Sequence, residues 1–433
     1  MAQNTDRRLQ NQVIYSVYLR AHTEEGTFRA LIPDLDRIKA LGTDIVWLMP
    51  IHPIGVKGKK GSLGCPYANR DYRTTNPAYG TMGDFIALSD AVHEHGMKLI
   101  IDVVYNHTSP DSVLLEEHPD FFWRDADGNT GNKIGDWADV IDLDYNNPGL
   151  WDYQIETLCM WARLVDGFRC DVASFVPLDF WKKARAAVER VHPGCLWLAE
   201  SVHRSFGCYA RRLGFYSCRD TELFAAFDME YEYDVREAFD RYLRGEAALS
   251  AWLEQLNFQE AVYPDNYNKL RFLENHDQPR FASLVPALPD RENFMALLYF
   301  LKGTTLLYAG QEFSCTHVPS LFEREVFKRD GEDVSAYLRR LYDLKHSVLG
   351  CDDAFWARSD DEKHIAILCR ENGESRKVGV FSLRSGAASV PVEAPDGDYT
   401  NLLDGGKVAV RGGRIDCEGK PIVFTVPKDA LNA

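Results

Sequence analysis

Acidic, imidazole and guanidinium side chains follow several short apolar segments of this sequence. The polar residues at the ends of these segments are Asp102, Asn106, His107, Arg169, Asp171, Glu200, Asn275, His276 and Asp277. A single aspartate at such a place is most often a solvated loop charge or a helix cap. Several carboxylates gathered on one face suit glycoside cleavage, in which one acid protonates the leaving oxygen and another attacks the anomeric carbon or activates water. The transition state resembles an oxocarbenium ion, so further carboxylates stabilise it.

The apolar segments that carry these residues alternate with helical patterns. We predict eight strands, at 13–19, 44–49, 98–104, 165–170, 195–200, 223–229, 270–275 and 304–310, and helices such as 32–41, 85–96 and 178–191 between them. Eight such units predict an α/β fold, a closed (β/α)8 TIM barrel whose functional residues lie at the carboxyl ends of the strands. The alternative is an open doubly wound sheet, which usually has a glycine-rich phosphate turn after its first strand. Residues 15–26 offer no such turn.

Two stretches depart from this alternation. Residues 107–145 follow the third strand, have little helical pattern and carry turn signals such as DADGNTGN, which indicates a short excursion from the barrel. The chain then returns to the barrel at 146–350, which together with 1–106 forms the predicted catalytic domain. At 351–433 the pattern changes to short strands separated by turns, which predicts a C-terminal antiparallel β-sandwich domain.

Composition and missing motifs exclude several classes of function. The chain has 433 residues, with 65 Asp and Glu against 49 Lys and Arg, and its formal net charge of −16 disfavours nucleic acid or an anionic membrane as partner. No apolar run approaches the ~18 residues of a membrane span, and no secretory signal is visible, so we expect a cytoplasmic protein. Ten scattered cysteines favour free thiols. Signals for a P-loop, a zinc peptidase and a serine hydrolase are missing from the sequence.

Four segments resemble the four sequence motifs of the α-amylase family, glycoside hydrolase family 13. These segments are DVVYNH (102–107), GFRCDVAS (167–174), LAES (198–201) and FLENHD (272–277), in the order that the family shows. Further matches at 42–55, 67–81, 142–148 and 303–312 extend the resemblance over nearly the whole chain. The resemblance implies the barrel, with the excursion as domain B and the β-rich tail as domain C.

The resemblance also implies roles for individual residues. Asp171 would be the nucleophile, Glu200 the general acid/base, and Asp277 the third carboxylate, which holds sugar hydroxyls and stabilises the transition state. The residues implied to contact or orient the sugar are Tyr67, Asp102, His107, Arg169 and His276. Because side chains alternate along a strand, Arg169 and Asp171 should point to the same side, where the guanidinium would keep Asp171 ionised.

One pair of residues departs from the family pattern. Many α-amylases carry Lys-His at the positions matched by Ser174 and Phe175, and those side chains help to bind the leaving-group sugar. We expect Ser174 and Phe175 to lie on that side of the cleft, with packing beneath the barrel rim as the alternative for Phe175.

A metal site is also implied by the resemblance. The family's calcium site would use Asn106, Asp142 and the backbone carbonyl of Phe175, and such oxygen ligands suit Ca²⁺. A domain B as short as this one could equally close without metal. No cofactor is expected for the chemistry itself, so any calcium would be structural.

The expected function is a retaining α-glucoside hydrolase that cleaves α-1,4-linked malto-oligosaccharides and dextrins through a covalent glycosyl-enzyme. An α-glucosidase, transglycosylase or isomerase of the same family, acting on short α-glucosides, stays open because these enzymes share the catalytic residues. A catalytically inactive binding protein is disfavoured because Asp171, Glu200 and Asp277 are all present.

Overall fold

The structure of this chain is a computed structural model that describes residues 4–135 and 137–431. Its strands are β1 Val13–Val17, β2 Ile45–Leu48, β3 Lys98–Val103, β4 His107–Thr108, β5 Ile141–Asp142, β6 Gly167–Cys170, β7 Leu196–Ala199, β8 Met229–Tyr231, β9 Lys269–Arg271, β10 Thr304–Tyr308, β11 Ala354–Asp360, β12 Ile365–Glu371, β13 Ser375–Ser382, β14 Ala387–Pro391, β15 Gly397–Thr400, β16 Lys407–Arg411, β17 Arg414–Glu418 and β18 Ile422–Pro427. Its α-helices are α1 Leu19–His22, α2 Phe28–Leu31, α3 Leu35–Ala40, α4 Met82–Glu94, α5 Val113–Glu117, α6 Pro148–Trp161, α7 Leu178–Glu189, α8 Arg204–Arg212, α9 Asp220–Leu223, α10 Tyr233–Leu243, α11 Leu249–Val262, α12 Phe281–Leu284, α13 Leu288–Phe300, α14 Ser335–Ser347 and α15 Lys428–Leu431. Short 3₁₀ turns occur at Arg7–Asn11, Ile32–Asp34, Pro119–Phe121, Ala173–Phe175 and Gln311–Phe313.

Eight strands close into a parallel barrel, in the order β1, β10, β9, β8, β7, β6, β3 and β2. Strands β1, β2, β6 and β7 are buried along their whole length. A strand in such a barrel has helices outside and packed side chains inside, so its sequence is apolar throughout instead of alternating. The predicted (β/α)8 barrel is confirmed.

Two compact units divide the chain. The first consists mainly of Ile14–Asp234 and Val318–Lys328, and it contains the strands from β1 to β8. The second consists mainly of Val235–His317 and the chain from Arg329 onward, and it contains β9, β10 and the C-terminal sheets. The limits of the catalytic domain, domain B and domain C that we derived from the sequence stay predictions.

The sixth barrel strand differs from its predicted position. The apolar segment 223–229 ends helix α9 and forms a buried turn, and the strand β8 begins only at Met229. Leu223 and Phe227 are fully buried. Burial alone therefore explains this apolar run, because a short buried run outside a sheet has the same composition as a buried strand.

The excursion after β3 returns through a small antiparallel ladder. Strands β4 and β5 pair with His107 opposite Asp142. An isolated bridge between Phe122 and Leu143 joins a further segment of the excursion to the residue that follows β5. The predicted short excursion from the third strand is confirmed, and its ladder begins directly after the barrel strand that carries Asp102.

The C-terminal region contains two antiparallel four-stranded sheets. One has the order β11, β12, β13, β18, and the other has the order β14, β17, β16, β15. Ile367, Val378 and Phe424 of the first sheet share one buried cluster with Val410 and Ile415 of the second. Buried and exposed residues alternate along β16 and β17, as expected when one face of a sheet covers a core. The predicted antiparallel β domain is confirmed.

The composition of the chain predicts free thiols and no membrane-spanning helix. None of the ten cysteines, which all lie in the described parts of the chain, forms a disulfide, and six of them are buried. Burial raises the pKa of Cys195 to about 12, so this thiol stays protonated at neutral pH. Within residues 4–135 and 137–431, no helix is long and apolar enough to cross a membrane.

An ion-pair network between α1 and α3 predicts part of the acid sensitivity of the fold. Asp34 Oδ2 lies 2.7 Å from His22 Nε2 and 2.7 Å from Arg37 Nη2. Burial alone would raise the pKa of Asp34, but hydrogen bonds from Arg37 and His22 outweigh burial and hold it well below the usual range. A carboxylate whose pKa is lower in the folded state than in the unfolded state stabilises the fold. This stabilisation is fully present above the unfolded-state pKa of about 4, and it is lost as the pH falls below that value.

We therefore expect Asp34→Asn to lower the free energy of unfolding by about 1–3 kcal/mol at pH 7. The difference between variant and wild type should shrink towards pH 3, as measured by urea denaturation at both pH values. Asp36→Asn is a matched control, because Asp36 lies two residues further along the chain, in α3, and its side chain is 93% exposed. A difference that persists unchanged at pH 3 would contradict the assignment.

Candidate active site

One guanidinium group joins three carboxylates at the ends of neighbouring barrel strands. Asp102 of β3 lies opposite Arg169 of β6 in the parallel register. Asp171 comes two residues after Arg169, so its side chain projects on the same side. Arg169 Nη1 donates to Asp102 Oδ1 at 2.9 Å and to Asp171 Oδ1 at 2.8 Å. Arg169 Nη2 lies 3.0 Å from Oε2 of Glu200, the residue that follows β7.

This cluster is almost closed to solvent. Arg169 and Asp102 are fully buried, and Asp171 and Glu200 are 6% and 7% exposed. Burial lowers the pKa of Arg169, but the charges of Asp102 and Glu200 outweigh burial and hold it well above the usual value. Burial raises the pKa of Asp102 to about 7, although Arg169 opposes that shift. The site therefore contains a permanent cation and more negative charge than that cation can neutralise.

Three aromatic rings surround the guanidinium. The ring centres of Trp47, Tyr67 and Tyr231 lie 5.3, 5.6 and 5.3 Å from Arg169 Cζ. Such ring faces attract a cation, so they add to the stabilisation of the buried charge. The hydroxyl of Tyr67 also donates to Asp102 Oδ2 at 3.1 Å. Tyr67, for which the sequence predicts a contact with sugar, thus lies beside the carboxylate cluster.

His107 approaches the same cluster from the excursion. Its Nε2 lies 3.9 Å from Asp171 Oδ2, and its ring centre is 5.5 Å from that of Trp137. Burial lowers the pKa of His107. A neutral imidazole at this place has one N–H that could donate to a sugar hydroxyl.

A strained peptide unit adjoins Asp171 and Glu200. Val172 has φ 35° and ψ 45°, a left-handed conformation that costs a β-branched residue about 1–3 kcal/mol. Its N–H donates to Glu200 Oε2 at 2.8 Å. Its side chain packs against a cluster that includes Ile134 and Val202. This packing holds the strained peptide in the orientation that directs its N–H to Glu200.

Ser174 and Phe175 lie deeper than expected for residues on the wall of a cleft. Ser174 is fully buried and Phe175 is 7% exposed. The 3₁₀ turn Ala173–Phe175 brings the Phe175 ring to 5.2 Å from that of Phe206, in an edge contact. This arrangement matches the packing alternative for Phe175, and a sugar contact for either residue stays a prediction.

His276 and Asp277 lie in the second unit, after strand β9. His276 Nε2 is 3.1 Å from Asp277 Oδ2, His276 is buried, and the Asp277 side chain is 44% exposed. An ion pair between Glu274 and Arg280, 2.7 Å long and fully buried, fixes the loop that carries them. The structure thus brings Arg169 and five other predicted residues together and places His276 and Asp277 side by side in a loop.

Comparison with known proteins identifies the family. The sequence model of the α-amylase catalytic domain matches residues 4–140 and 133–347, and that of the bacterial α-amylase C-terminal domain matches 357–424. The chain belongs to the α-amylase family. An α-amylase from Lactobacillus plantarum is 43% identical in sequence, with a TM-score of 0.93 over 97% of this chain and 100% of that one.

Two further relatives extend the comparison with α-amylases. A maltogenic α-amylase from Thermotoga neapolitana is 32% identical, with a TM-score of 0.86 over 97% of this chain and 99% of that one. The α-amylase MalA of Haloarcula japonica is 26% identical over 318 residues, which make up 70% of this chain. The match covers 44% of the length of that relative.

The residues expected at the α-amylase calcium site do not fit a calcium ion. Oδ2 of Asp142 accepts the backbone N–H of Lys133 at 2.7 Å, and Oδ1 lies 3.4 Å from Nδ2 of Asn132. The ammonium of Lys133 points at the carbonyl of Leu143 at 2.6 Å. Ca²⁺ needs six to eight oxygen ligands, whereas here one carboxylate oxygen of Asp142 is already hydrogen-bonded and Lys133 lines the same cavity as Asn106 and Asp142. We therefore assign no calcium to Asn106, Asp142 and the Phe175 carbonyl.

Three residues of the site were not identified from the sequence. Trp47 lies within β2, and Tyr231 ends β8 two residues beyond the predicted strand 223–229, so neither stood at a strand end predicted from the sequence. Val172 carried no signal, because its role depends on a backbone conformation that is unusual for valine. Sequence patterns describe side chains, and the contribution of Val172 is a peptide N–H.

Proposed function

We propose that this member of the α-amylase family hydrolyses α-1,4-linked malto-oligosaccharides and soluble dextrins with retention of configuration. The observation that carries the proposal is the contact of Arg169 with both Asp171 and Glu200. A retaining glycosidase needs two carboxyl groups with different tasks close together. A shared guanidinium fixes the two at the ends of adjacent strands.

In the first step, Asp171 attacks the anomeric carbon while Glu200 protonates the glycosidic oxygen. The C–O bond to the leaving sugar breaks, and a covalent glycosyl-enzyme forms with inverted configuration. In the second step, the ionised Glu200 takes a proton from water, whose oxygen attacks the same carbon and displaces Asp171. Two inversions restore the α-configuration.

The contacts of Arg169 support these two roles. Arg169 holds Oδ1 of Asp171, so it orients the carboxylate and favours its ionised, nucleophilic form. Oε2 of Glu200 already accepts the Val172 N–H and lies 3.0 Å from Arg169 Nη2. We therefore assign the transferable proton of Glu200 to Oε1.

The remaining residues are assigned by their match to the family motifs. Asp277 is the third carboxylate, which holds sugar hydroxyls, and its partly exposed side chain remains accessible to a ligand. His107 and His276 donate hydrogen bonds to the same sugar, and Tyr67 stacks on its apolar face. A cytoplasmic location is also proposed, and the ten free thiols are compatible with a reducing compartment.

Dependence on substrate length tests the proposed specificity. Domain B is short and should leave an open cleft, in which each added glucose unit gains contacts. We expect kcat/KM to rise at least about tenfold from maltose to maltoheptaose, which corresponds to ~1.4 kcal/mol of added transition-state binding. Initial rates on the purified chain, with product analysis by chromatography, provide the measurement.

Two results would contradict the proposal. Values of kcat/KM that stay flat or fall with length would indicate an enzyme with a closed pocket. Longer transfer products from maltotriose as the main outcome would indicate a transglycosylase. Isomaltose and trehalose serve as matched controls for the linkage, and we expect neither to be cleaved at a comparable rate.

A further inference from the structure

The strand that closes domain B lies beside a cavity that contains a lysine. Strand β5 ends at Asp142, and the next residue, Leu143, donates its N–H to the carbonyl of Asn106 at 3.0 Å. A cavity of about 350 Å³ adjoins this connection, and Asn106, Lys133, Asp142 and Phe175 all line it. The residues that the family pattern assigns to calcium therefore share one cavity with the Lys133 side chain.

Lys133 contacts the closing strand at two points. Its backbone N–H donates to Asp142 Oδ2 at 2.7 Å, and its ammonium donates to the carbonyl of Leu143 at 2.6 Å. The neighbouring Asn132 donates through Nδ2 to the carbonyl of Val140 at 3.0 Å. Two consecutive residues thus hold the chain from Val140 to Leu143 by its side-chain and backbone oxygens.

We propose that the ammonium of Lys133 is the built-in cation of domain B and replaces a calcium ion there. Oδ2 of Asp142, which would coordinate Ca²⁺, accepts an N–H group instead, and an adjacent ammonium repels a second cation. Because the Lys133 ammonium is part of the chain, its presence at this place does not depend on the calcium concentration.

The position of Lys133 connects it with the candidate active site. Asp142 lies opposite His107 in the ladder of β4 and β5, and His107 Nε2 lies 3.9 Å from Asp171 Oδ2. Lys133 is therefore a positioning residue, which holds the ladder that carries His107. Its proposed role is structural, so stability measurements test it without reference to substrate.

The test compares thermal unfolding of the full-length protein in EDTA and in millimolar CaCl2. We expect the wild type to have the same Tm in both and to contain no bound calcium by elemental analysis. Lys133→Met keeps an unbranched side chain but removes the terminal ammonium, so its Tm should fall by several degrees in EDTA. Lys133→Asp adds a carboxylate beside Asp142, so calcium, and not magnesium, should restore part of its lost Tm.

Lys60→Met is the matched control. Lys60 Nζ forms a 2.8 Å ion pair with the buried Asp139, and its side chain is 40% exposed. Its removal should lower the Tm less and create no response to calcium. Limited proteolysis of domain B gives a second measurement if Lys133→Met unfolds too readily, and cleavage within residues 107–145 should then accelerate in Lys133→Gln. A wild type that loses Tm in EDTA, or a Lys133→Met variant as stable as the wild type, would overturn the proposal.

Discussion

Replacement of Asp171 by asparagine should remove nearly all hydrolysis and leave the fold intact. An amide does not attack the anomeric carbon, so we expect kcat on malto-oligosaccharides to fall at least ~10⁴-fold, as for other residues that form the covalent intermediate. The amide oxygen can still accept the hydrogen bond that Arg169 Nη1 donates at 2.8 Å. Loss of one of the three carboxylates around a single guanidinium also relieves repulsion, so the Tm should stay equal or rise. Steady-state kinetics and thermal unfolding of the same preparation measure both effects.

The configuration of the product distinguishes a nucleophile from a residue that only binds the substrate. The wild type should release product of α-configuration in an NMR time course, and Asp171→Gly should regain turnover with added azide and form the β-glycosyl azide. Asp179→Asn is a suitable control, because the Asp179 side chain is 82% exposed and its only described ion pair is to Lys182. Near-normal turnover of Asp171→Asn, or β-configured product from the wild type, would contradict the assignment.

The centre of the site could be predicted from the sequence because it follows from the geometry of strands. Arg169 and Asp171 are two residues apart on a buried strand, so their side chains must share a side. The carboxyl ends of parallel strands meet at one rim, which brings Asp102 and Glu200 to the same place. The first relation depends on local backbone periodicity, and the second follows from the regular alternation of strands and helices that specifies the barrel.

Features that depend on loop conformation could not be predicted in this way. Lys133 lies in a stretch without regular structure, and nothing in its spacing connects it with Asp142. An aromatic residue such as Phe175 could either stack on a sugar or pack in the core, and its sequence position does not distinguish these roles. Its edge contact with Phe206 in the structure favours packing.

Replacement of Arg169 by methionine should have the largest effect on stability. Three carboxylates would lose their cation in a site where Asp102 is fully buried, and removal of one partner of a buried ion pair costs about 3–5 kcal/mol. We expect a loss of that size in the free energy of unfolding at pH 7, together with loss of turnover. Arg169→Lys keeps the charge, but one ammonium cannot reproduce the forked contacts with Asp171 and Glu200, so it should retain more stability than activity.

The pH dependence of this loss tests its electrostatic cause. Without Arg169, the pKa of Asp102, about 7 in the wild type, should rise further because burial is then unopposed. A folded-state pKa above the unfolded value of about 4 means that the folded protein binds more protons, so stability falls as the pH rises between the two values. The difference between Arg169→Met and the wild type should therefore widen from pH 7 to pH 9 in urea denaturation, because Asp102 ionises there in the folded wild type and stays protonated in the variant. Arg185→Met is the control, because Arg185 pairs with the single carboxylate of Asp228 at 2.6 Å and its loss should be smaller. An equal loss at both pH values would mean that Arg169 acts through packing and not through its charge.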